Sequence, residues 1–93
     1  MGVRESSVEK YFKEKLEERG GISYKWISPN RIGVPDQIAI IKGQVHLVEI
    51  KTENGKLSDA QLREQKRLRD SGAIVKTLFG HKEVDRFISD LVV

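Results

Sequence analysis

A chain of 93 residues with a formal net charge of +3 is long enough for one domain with its own core, and the mild excess of basic residues only weakly suggests a polyanionic partner. The spaced apolar residues exclude a disordered chain, and the absence of cysteine excludes disulfides and thiolate metal sites. No apolar run approaches the roughly 20 residues that span a bilayer, and the polar start, MGVRESSVEK, is unlike a signal peptide. We therefore expect one cytoplasmic domain over residues 1–93.

The first two predicted elements are a helix and a strand. An apolar stripe at helical spacing predicts a helix from Ser6 or Ser7 to Arg19, ended by Gly20-Gly21. Ser6 and Glu9 have the spacing of a capping box. The alternating segment ISYKWI predicts a strand over residues 22–27, and SPNRIGVP is typical of a loop.

A hairpin follows the loop. The segments DQIAII and QVHLVEIK predict strands over residues 36–41 and 44–51. Only Lys42-Gly43 separates them, which is the length of a tight turn, so the two strands should pair antiparallel. His46 is interpreted here as a residue on the surface of the sheet.

The last three elements are a helix, a strand and a helix. Ser58 and Gln61 form a capping box that begins a helix ending near Ser71-Gly72. A strand over residues 73–79 should lie parallel to the preceding one, because a helix crosses over between them. An apolar stripe predicts a final amphipathic helix: Val84, Phe87, Ile88 and Leu91. The predicted fold is α/β, in the order α-β-β-β-α-β-α, with a mixed four-stranded sheet flanked by helices.

Asp36, Glu49 and Lys51 are predicted to meet at one end of this sheet. Glu49 and Lys51 share one face of their strand, while Val48 and Ile50 point to the other. The start of one hairpin strand lies beside the end of its partner, which brings Asp36 close. Two carboxylates and an ammonium group suggest a Mg²⁺ site that is completed by a phosphate, where the cation activates water against a phosphodiester. The alternative is a simple ion pair between Glu49 and Lys51.

The motif P-D, followed after twelve residues by E-I-K, resembles the PD-(D/E)xK nuclease signature. The wider pattern is similar to one branch of that superfamily, the virus-type replication-repair nuclease (VRR-Nuc) domain. The shared features are a glutamate in the first helix, Gly-Gly after it, G-V-P-D, V-E-I-K-T, a glycine and L-S-x-x-Q. In this chain they are Glu9, Gly20-Gly21, Gly33 to Asp36, Val48 to Thr52, Gly55 and Leu57 to Gln61. The resemblance covers nearly the whole chain and implies a restriction-endonuclease-like fold in a stand-alone nuclease domain.

The resemblance also implies roles for single residues. Asp36 and Glu49 would bind Mg²⁺ or Mn²⁺, with the backbone carbonyl of Ile50 as a further ligand. Lys51 would be the catalytic lysine. Glu9 would add a carboxylate, directly or through water.

Glu9 and Gln61 each have an alternative role. On a helical wheel with Val8 at 0°, Glu9 falls at about 100° and borders the apolar stripe. Glu5 falls at about 60° and is a rival acid, although the expected helix start leaves it before the helix. Gln61 would face the site from the second helix. A capping box alone could explain each residue, since Gln61 could cap α-helical turns with Ser58 and Glu9 could do so with Ser6.

Several basic residues are predicted to contact DNA phosphates, because a nuclease must hold a polyanion. A solvated surface is the alternative for them. They are Lys25, Arg31, Arg63, Lys66 and Arg67.

Two classes of function fit these residues. The first is a metal-dependent DNA endonuclease, and the second is a non-catalytic nucleic-acid-binding module, which buried acids disfavour because they repel phosphate. A stand-alone domain of this type resembles small junction-resolving nucleases, which implies a Holliday-junction resolvase that acts on branched DNA. Symmetric cutting of a four-way junction requires two sites, so we predict a dimer. A flap- or nick-directed nuclease is the alternative. The resemblance places the protein in a bacterium, or makes it a phage protein in a bacterial host. Ile88 with Leu91-Val92-Val93 could form the dimer contact or pack on the chain's own core.

Overall fold

The computed structural model describes residues 3–91, and its elements follow the predicted order. The helices are α1 (Glu5–Glu18), α2 (Asp59–Asp70) and α3 (Gly80–Leu91). The strands are β1 (Ile22–Lys25), β2 (Gln37–Ile41), β3 (Gln44–Lys51) and β4 (Ile74–Phe79).

The four strands form one mixed sheet in the order β1-β2-β3-β4. β1 pairs antiparallel with β2, and β2 with β3, while β3 and β4 are parallel, as the crossover through α2 predicts. In the hairpin Gln37 lies opposite Val48. Asp36, the residue before Gln37, therefore lies level with Glu49, the residue after Val48.

The hydrophobic core lies on one face of the sheet, beneath α1 and α3. Side chains from both helices pack against the sheet residues Ala39, Ile41, Val48, Ile50 and Leu78. The helical members are Val8, Phe12, Leu16, Val84, Phe87 and Ile88. α2 covers the opposite face, where Glu49 and Thr77 point. Glu49 of β3 thus faces α2, while the apolar residues of this strand pack into the core.

The end of α3 packs on the core of its own chain. Ile88 is buried in the core cluster and Leu91 packs against that cluster. These contacts favour the own-core alternative for this patch. Val92 and Val93 lie outside the described residues.

Three local predictions were wrong. α1 begins at Glu5 with Arg4 as its N-cap and no side-chain cap, so Ser6 lies inside the first turn and forms no capping box with Glu9. β1 ends at Lys25 rather than at residue 27. His46 is buried rather than on the surface, because it shares the core-facing side of β3 and meets Phe87 edge to face.

The start of α2 agrees with the prediction. The Ser58 hydroxyl accepts a hydrogen bond from the Gln61 backbone N–H, and the Gln61 side chain accepts one from the Ser58 N–H. Within residues 3–91, no helix has the length and apolar character needed to cross a membrane.

Candidate active site

Three carboxylates converge where β2 begins and β3 ends. One carboxylate oxygen from each of Glu5, Asp36 and Glu49 lies within 4.8 Å of the other two. They come from the first turn of α1, the residue before β2, and β3. The Lys51 ammonium lies 3.9 Å from a carboxylate oxygen of Glu5. The hairpin thus brings Asp36, Glu49 and Lys51 to one end of the sheet, as the strand pattern predicts.

Asp36 is oriented by the backbone of β3. Its Oδ2 atom accepts a hydrogen bond from the Ile50 N–H at 3.1 Å, just beyond the last β2–β3 residue pair, Gln37 with Val48. The N–H and C=O of one strand residue point to the same side of the strand. The Ile50 carbonyl therefore faces the side on which Asp36 lies.

Glu49 is almost completely buried, with 1% of its surface exposed. Gln61 Nε2 donates a hydrogen bond to Glu49 Oε2 at 3.3 Å, whereas Glu49 Oε1 is buried with no hydrogen-bond partner. Burial, and next the Asp36 carboxylate, which can accept a hydrogen bond only from a protonated Glu49 and repels its ionised form, raises the pKa of Glu49 to about 8. A buried acceptor without a partner is destabilising, by about 1–3 kcal/mol. Unless a cation compensates its charge, Glu49 therefore binds a proton at neutral pH.

The capping box fixes the direction of the Gln61 amide. Gln61 Oε1 accepts from the Ser58 N–H at 2.8 Å, which turns Nε2 toward Glu49. Gln61 therefore caps α2 and contacts Glu49 at the same time. Its contact with Glu49 fills one carboxylate oxygen and leaves the other for a different ligand.

Glu5, rather than Glu9, completes the group of three carboxylates. The helix starts early enough to include Glu5, and its wheel position of about 60° places it within the inward stripe. Glu9 is partly buried and does not belong to that group. Burial, and next the charge of Asp36, raises the pKa of Glu9, so it lies close enough to Asp36 to sense its charge. The wheel angle of Glu5 was the sequence signal, and the misplaced helix start hid it.

The α2 face that covers the sheet is polar rather than apolar. Gln65 is buried, and its Nε2 donates to the Thr77 hydroxyl at 2.8 Å. Thr77 lies directly beside Glu49 in the β3–β4 register. Gln65 Oε1 in turn accepts from Arg69, which also donates to the Val75 carbonyl. Hydrogen bonds, more than apolar contacts, therefore hold α2 over the carboxylates.

The five residues predicted to contact DNA fall in three places. Lys25 is exposed at the end of β1, near enough to Glu9 for its charge to oppose the rise in the pKa of that acid. Lys66 is exposed and pairs with Asp70 at 2.8 Å. The three arginines line one cleft between α2 and the loop before β2: Arg31, Arg63 and Arg67.

The donor atoms of the carboxylate group fit a hard divalent cation. Mg²⁺ and Mn²⁺ prefer oxygen ligands, and Mg²⁺ usually keeps several waters beside one or two carboxylates. Glu49 Oε1 is a buried oxygen that lacks a partner, and Glu5 and Asp36 add oxygens beside it. The residues of this chain thus form a site suited to such an ion.

Comparison with known proteins gives one consistent result. The VRR-NUC domain family matches residues 4–82. A protein of Acyrthosiphon pisum secondary endosymbiont phage 1, named "Putative nuclease p44", is 43% identical over 67 residues, which cover 71% of this chain and 72% of that protein. A solved VRR-NUC domain structure superposes with a TM-score of 0.83 at 39% identity, over 91% of this chain and 94% of the other. A second one, 18% identical with a TM-score of 0.72 over 98% of this chain and 87% of the other, supports the fold alone. The chain belongs to the VRR-NUC domain family of nucleases.

Proposed function

We propose that this nuclease is a Mg²⁺- or Mn²⁺-dependent endonuclease that hydrolyses branched DNA. The observation that carries the proposal is the unpartnered, buried Oε1 atom of Glu49 within a group of three carboxylates, with the Lys51 ammonium beside it. A carboxylate in such surroundings is costly unless a cation compensates its charge. A non-catalytic surface that only binds nucleic acid does not require such a buried carboxylate.

Asp36 and Glu49 are the proposed protein ligands of the cation, with the Ile50 carbonyl as a third. Glu5 is a further ligand, in contact with the cation or with a water on it, and Glu9 adds negative charge from further away. The cation, when bound, supplies Lewis acidity toward a phosphate oxygen and the attacking water. Beside such a positive charge the ionised form of Glu49 would be favoured, which would offset the rise in the pKa of Glu49 that burial and Asp36 cause.

Lys51 is the proposed catalytic residue. Its ammonium carries three donors and is only partly exposed, with 17% of the side-chain surface accessible. From this position it donates to a non-bridging phosphate oxygen or orients the attacking water. Either contact strengthens as negative charge develops in the transition state. Gln61 is the proposed positioning residue, because it holds Glu49 by one oxygen.

The four-way junction is the proposed preferred substrate, and a homodimer the proposed active form. Residues 3–91 contain one group of three carboxylates, so paired cuts on two strands require two copies of the chain. A two-fold dimer presents two equivalent sites to the two equivalent strands of a junction.

A panel of labelled DNA substrates tests this function. The panel contains a four-way junction, a flap, a nicked duplex, a plain duplex and a single strand, each incubated with Mg²⁺, Mn²⁺ or a chelator. We expect symmetric paired cuts in the junction with either metal and none with chelator. Sedimentation at several protein concentrations should show a dimer.

Other outcomes contradict particular parts of the proposal. Cutting of flaps or nicks alone would contradict junction resolution while keeping the endonuclease. Binding without cutting under any metal would favour the non-catalytic module. Undiminished cutting in chelator would contradict the metal site.

A further inference from the structure

We infer that the arginine cleft, formed by Arg31, Arg63 and Arg67 with Asn30 and Ile32 at its edge, is a second phosphate-binding site. Its ligand is a backbone phosphate of the cut strand, a few nucleotides from the bond that is cut. The inference rests on the proposed nuclease function, because it assigns a place to the same DNA strand. The cleft has a volume of about 350 Å³.

Arg31 is held in the cleft by a buried acid. Its Nε and Nη2 atoms both lie 3.0 Å from Glu64 Oε1, and Glu64 is only 5% exposed. About half of the Arg31 side chain, 48%, stays accessible, so donors remain for a ligand. A guanidinium fixed by one carboxylate loses little freedom when it binds a phosphate, which favours affinity.

The loop that carries Arg31 is seated on the first turn of α2. Gly33 has φ of +83°, and a Cβ atom at this position would lie 2.5 Å from the Ala60 carbonyl oxygen. Only glycine permits both this backbone conformation and this approach. The close contact sets the distance at which Arg31 reaches Glu64, so one side of the cleft is rigid.

The other side of the cleft carries charge that the protein leaves uncompensated. Arg63 and Arg67 lie four residues apart on α2 and both line the cleft. Like charges at this spacing destabilise a helix, and within residues 3–91 neither arginine forms an ion pair. Three guanidinium groups less the Glu64 carboxylate leave a net charge of +2 around the cleft. An anion that enters it removes this repulsion.

The same helix relates the cleft to the carboxylates. Gln61 contacts Glu49, and Arg63 and Arg67 follow it by two and six residues on α2. These steps add about 3 Å and 9 Å along the helix axis and turn the side chains about 160° and 120° away from Gln61, so the cleft lies round the helix from the carboxylates, on the order of 10 Å away. A DNA strand advances by about 3.4 Å per nucleotide, so the cleft phosphate lies a few nucleotides from the scissile one.

Salt-dependent DNA binding tests the assignment. Affinity for a labelled four-way junction is measured by fluorescence anisotropy between about 50 and 200 mM salt, in the Lys51→Ala background with Mg²⁺ so that no strand is cut. The slope of log K against log salt is negative. We expect Arg63→Gln and Arg67→Gln each to make it less steep by about one. Arg31→Gln should do the same, and the two exposed positions keep the test valid if loss of the buried pair unfolds that variant.

Lys13→Gln is the control, with the same change of charge at an exposed position of α1, which packs on the face of the sheet opposite α2. This replacement should leave the slope unchanged. Equal losses from Lys13 and from the arginines would reduce the cleft to general surface charge and overturn the inference.

A second readout locates the phosphate. Neutral methylphosphonates are placed one at a time along the cut strand, and binding of each substrate is measured. We expect weaker binding at one position within a few nucleotides of the cut, and this effect should vanish in Arg63→Gln. No such position, or dependence on a terminal phosphate alone, would overturn the inference. If the wild type cuts no DNA, the proposed function fails, while the salt slopes still decide whether the cleft binds phosphate.

Discussion

Replacement of Glu49 by glutamine should uncouple metal binding from pH. Because the pKa of the buried Glu49 is raised to about 8, this group is mostly protonated at pH 7 in the absence of metal. Each pH unit below that pKa costs about 1.4 kcal/mol, or tenfold in apparent metal affinity. We therefore expect Mg²⁺ affinity to rise about 100-fold between pH 6 and pH 9 and then to level off, with about one proton released per ion at the lower pH.

Titration calorimetry with MgCl₂, in two buffers of different ionisation enthalpy, measures both the affinity and the proton release. The Glu49→Gln variant should bind at least about tenfold more weakly at pH 9 and show little dependence on pH over this range. Glu17→Gln, at an exposed position of α1, should behave as wild type. A wild-type affinity that stays flat from pH 6 to pH 9, or an unchanged affinity in Glu49→Gln, would refute this reasoning.

Three further changes separate other parts of the account. Glu5→Gln should weaken Mg²⁺ binding more than Glu9→Gln in the same titration, because only Glu5 shares the group of three carboxylates; the reverse order would restore Glu9 as the ligand. Burial, and next the charge of Lys76, lowers the pKa of His46 from 6.5, so His46 by itself contributes a fall in the free energy of unfolding as the pH drops below about 6.5, opposite in sign to the contribution of Glu49, whose pKa is raised. His46→Leu should remove that fall and add about 1 kcal/mol of stability, since both ring nitrogens are buried without hydrogen-bond partners. Urea unfolding of both proteins at pH 5 and pH 7.5 tests this, and a pH dependence equal to that of the wild type would count against it. Gly33→Ala should destabilise the protein by about 1–3 kcal/mol in urea unfolding, and a neutral effect would show that the loop is free to move away from α2.

The features that could be predicted from the sequence depend on short-range geometry. The two-residue turn at Lys42-Gly43 fixes the hairpin register, and register alone brings Asp36 to Glu49. The capping box of Ser58 and Gln61 lies within four residues and was predicted correctly. Periodicity predicted α1, α3 and strands β2 to β4, because each of them buries apolar side chains in the core, whereas α2 was marked by its capping box.

The features that were missed depend on long-range packing or on a helix end. Whether α1 starts at Glu5 or two residues later is decided without a side-chain cap, so no local signal marked it. The burial of Glu64 depends on Arg31, which lies 33 residues away in sequence. Alternation along β3 does place His46 with Val48 and Ile50, but a histidine without hydrogen-bond partners is an uncommon core residue.

The most direct test of the central claim is single-turnover cleavage of a four-way junction by protein already bound to it. Wild type, Lys51→Ala and the exposed control Lys10→Ala are compared with Mg²⁺ at protein concentrations that saturate the DNA. If Lys51 acts on the reacting phosphate, cleavage by Lys51→Ala falls by about 100-fold or more while its DNA affinity stays close to wild type, and Lys10→Ala cuts normally. Cleavage by Lys51→Ala at the wild-type rate would contradict the assignment of catalysis to this end of the sheet.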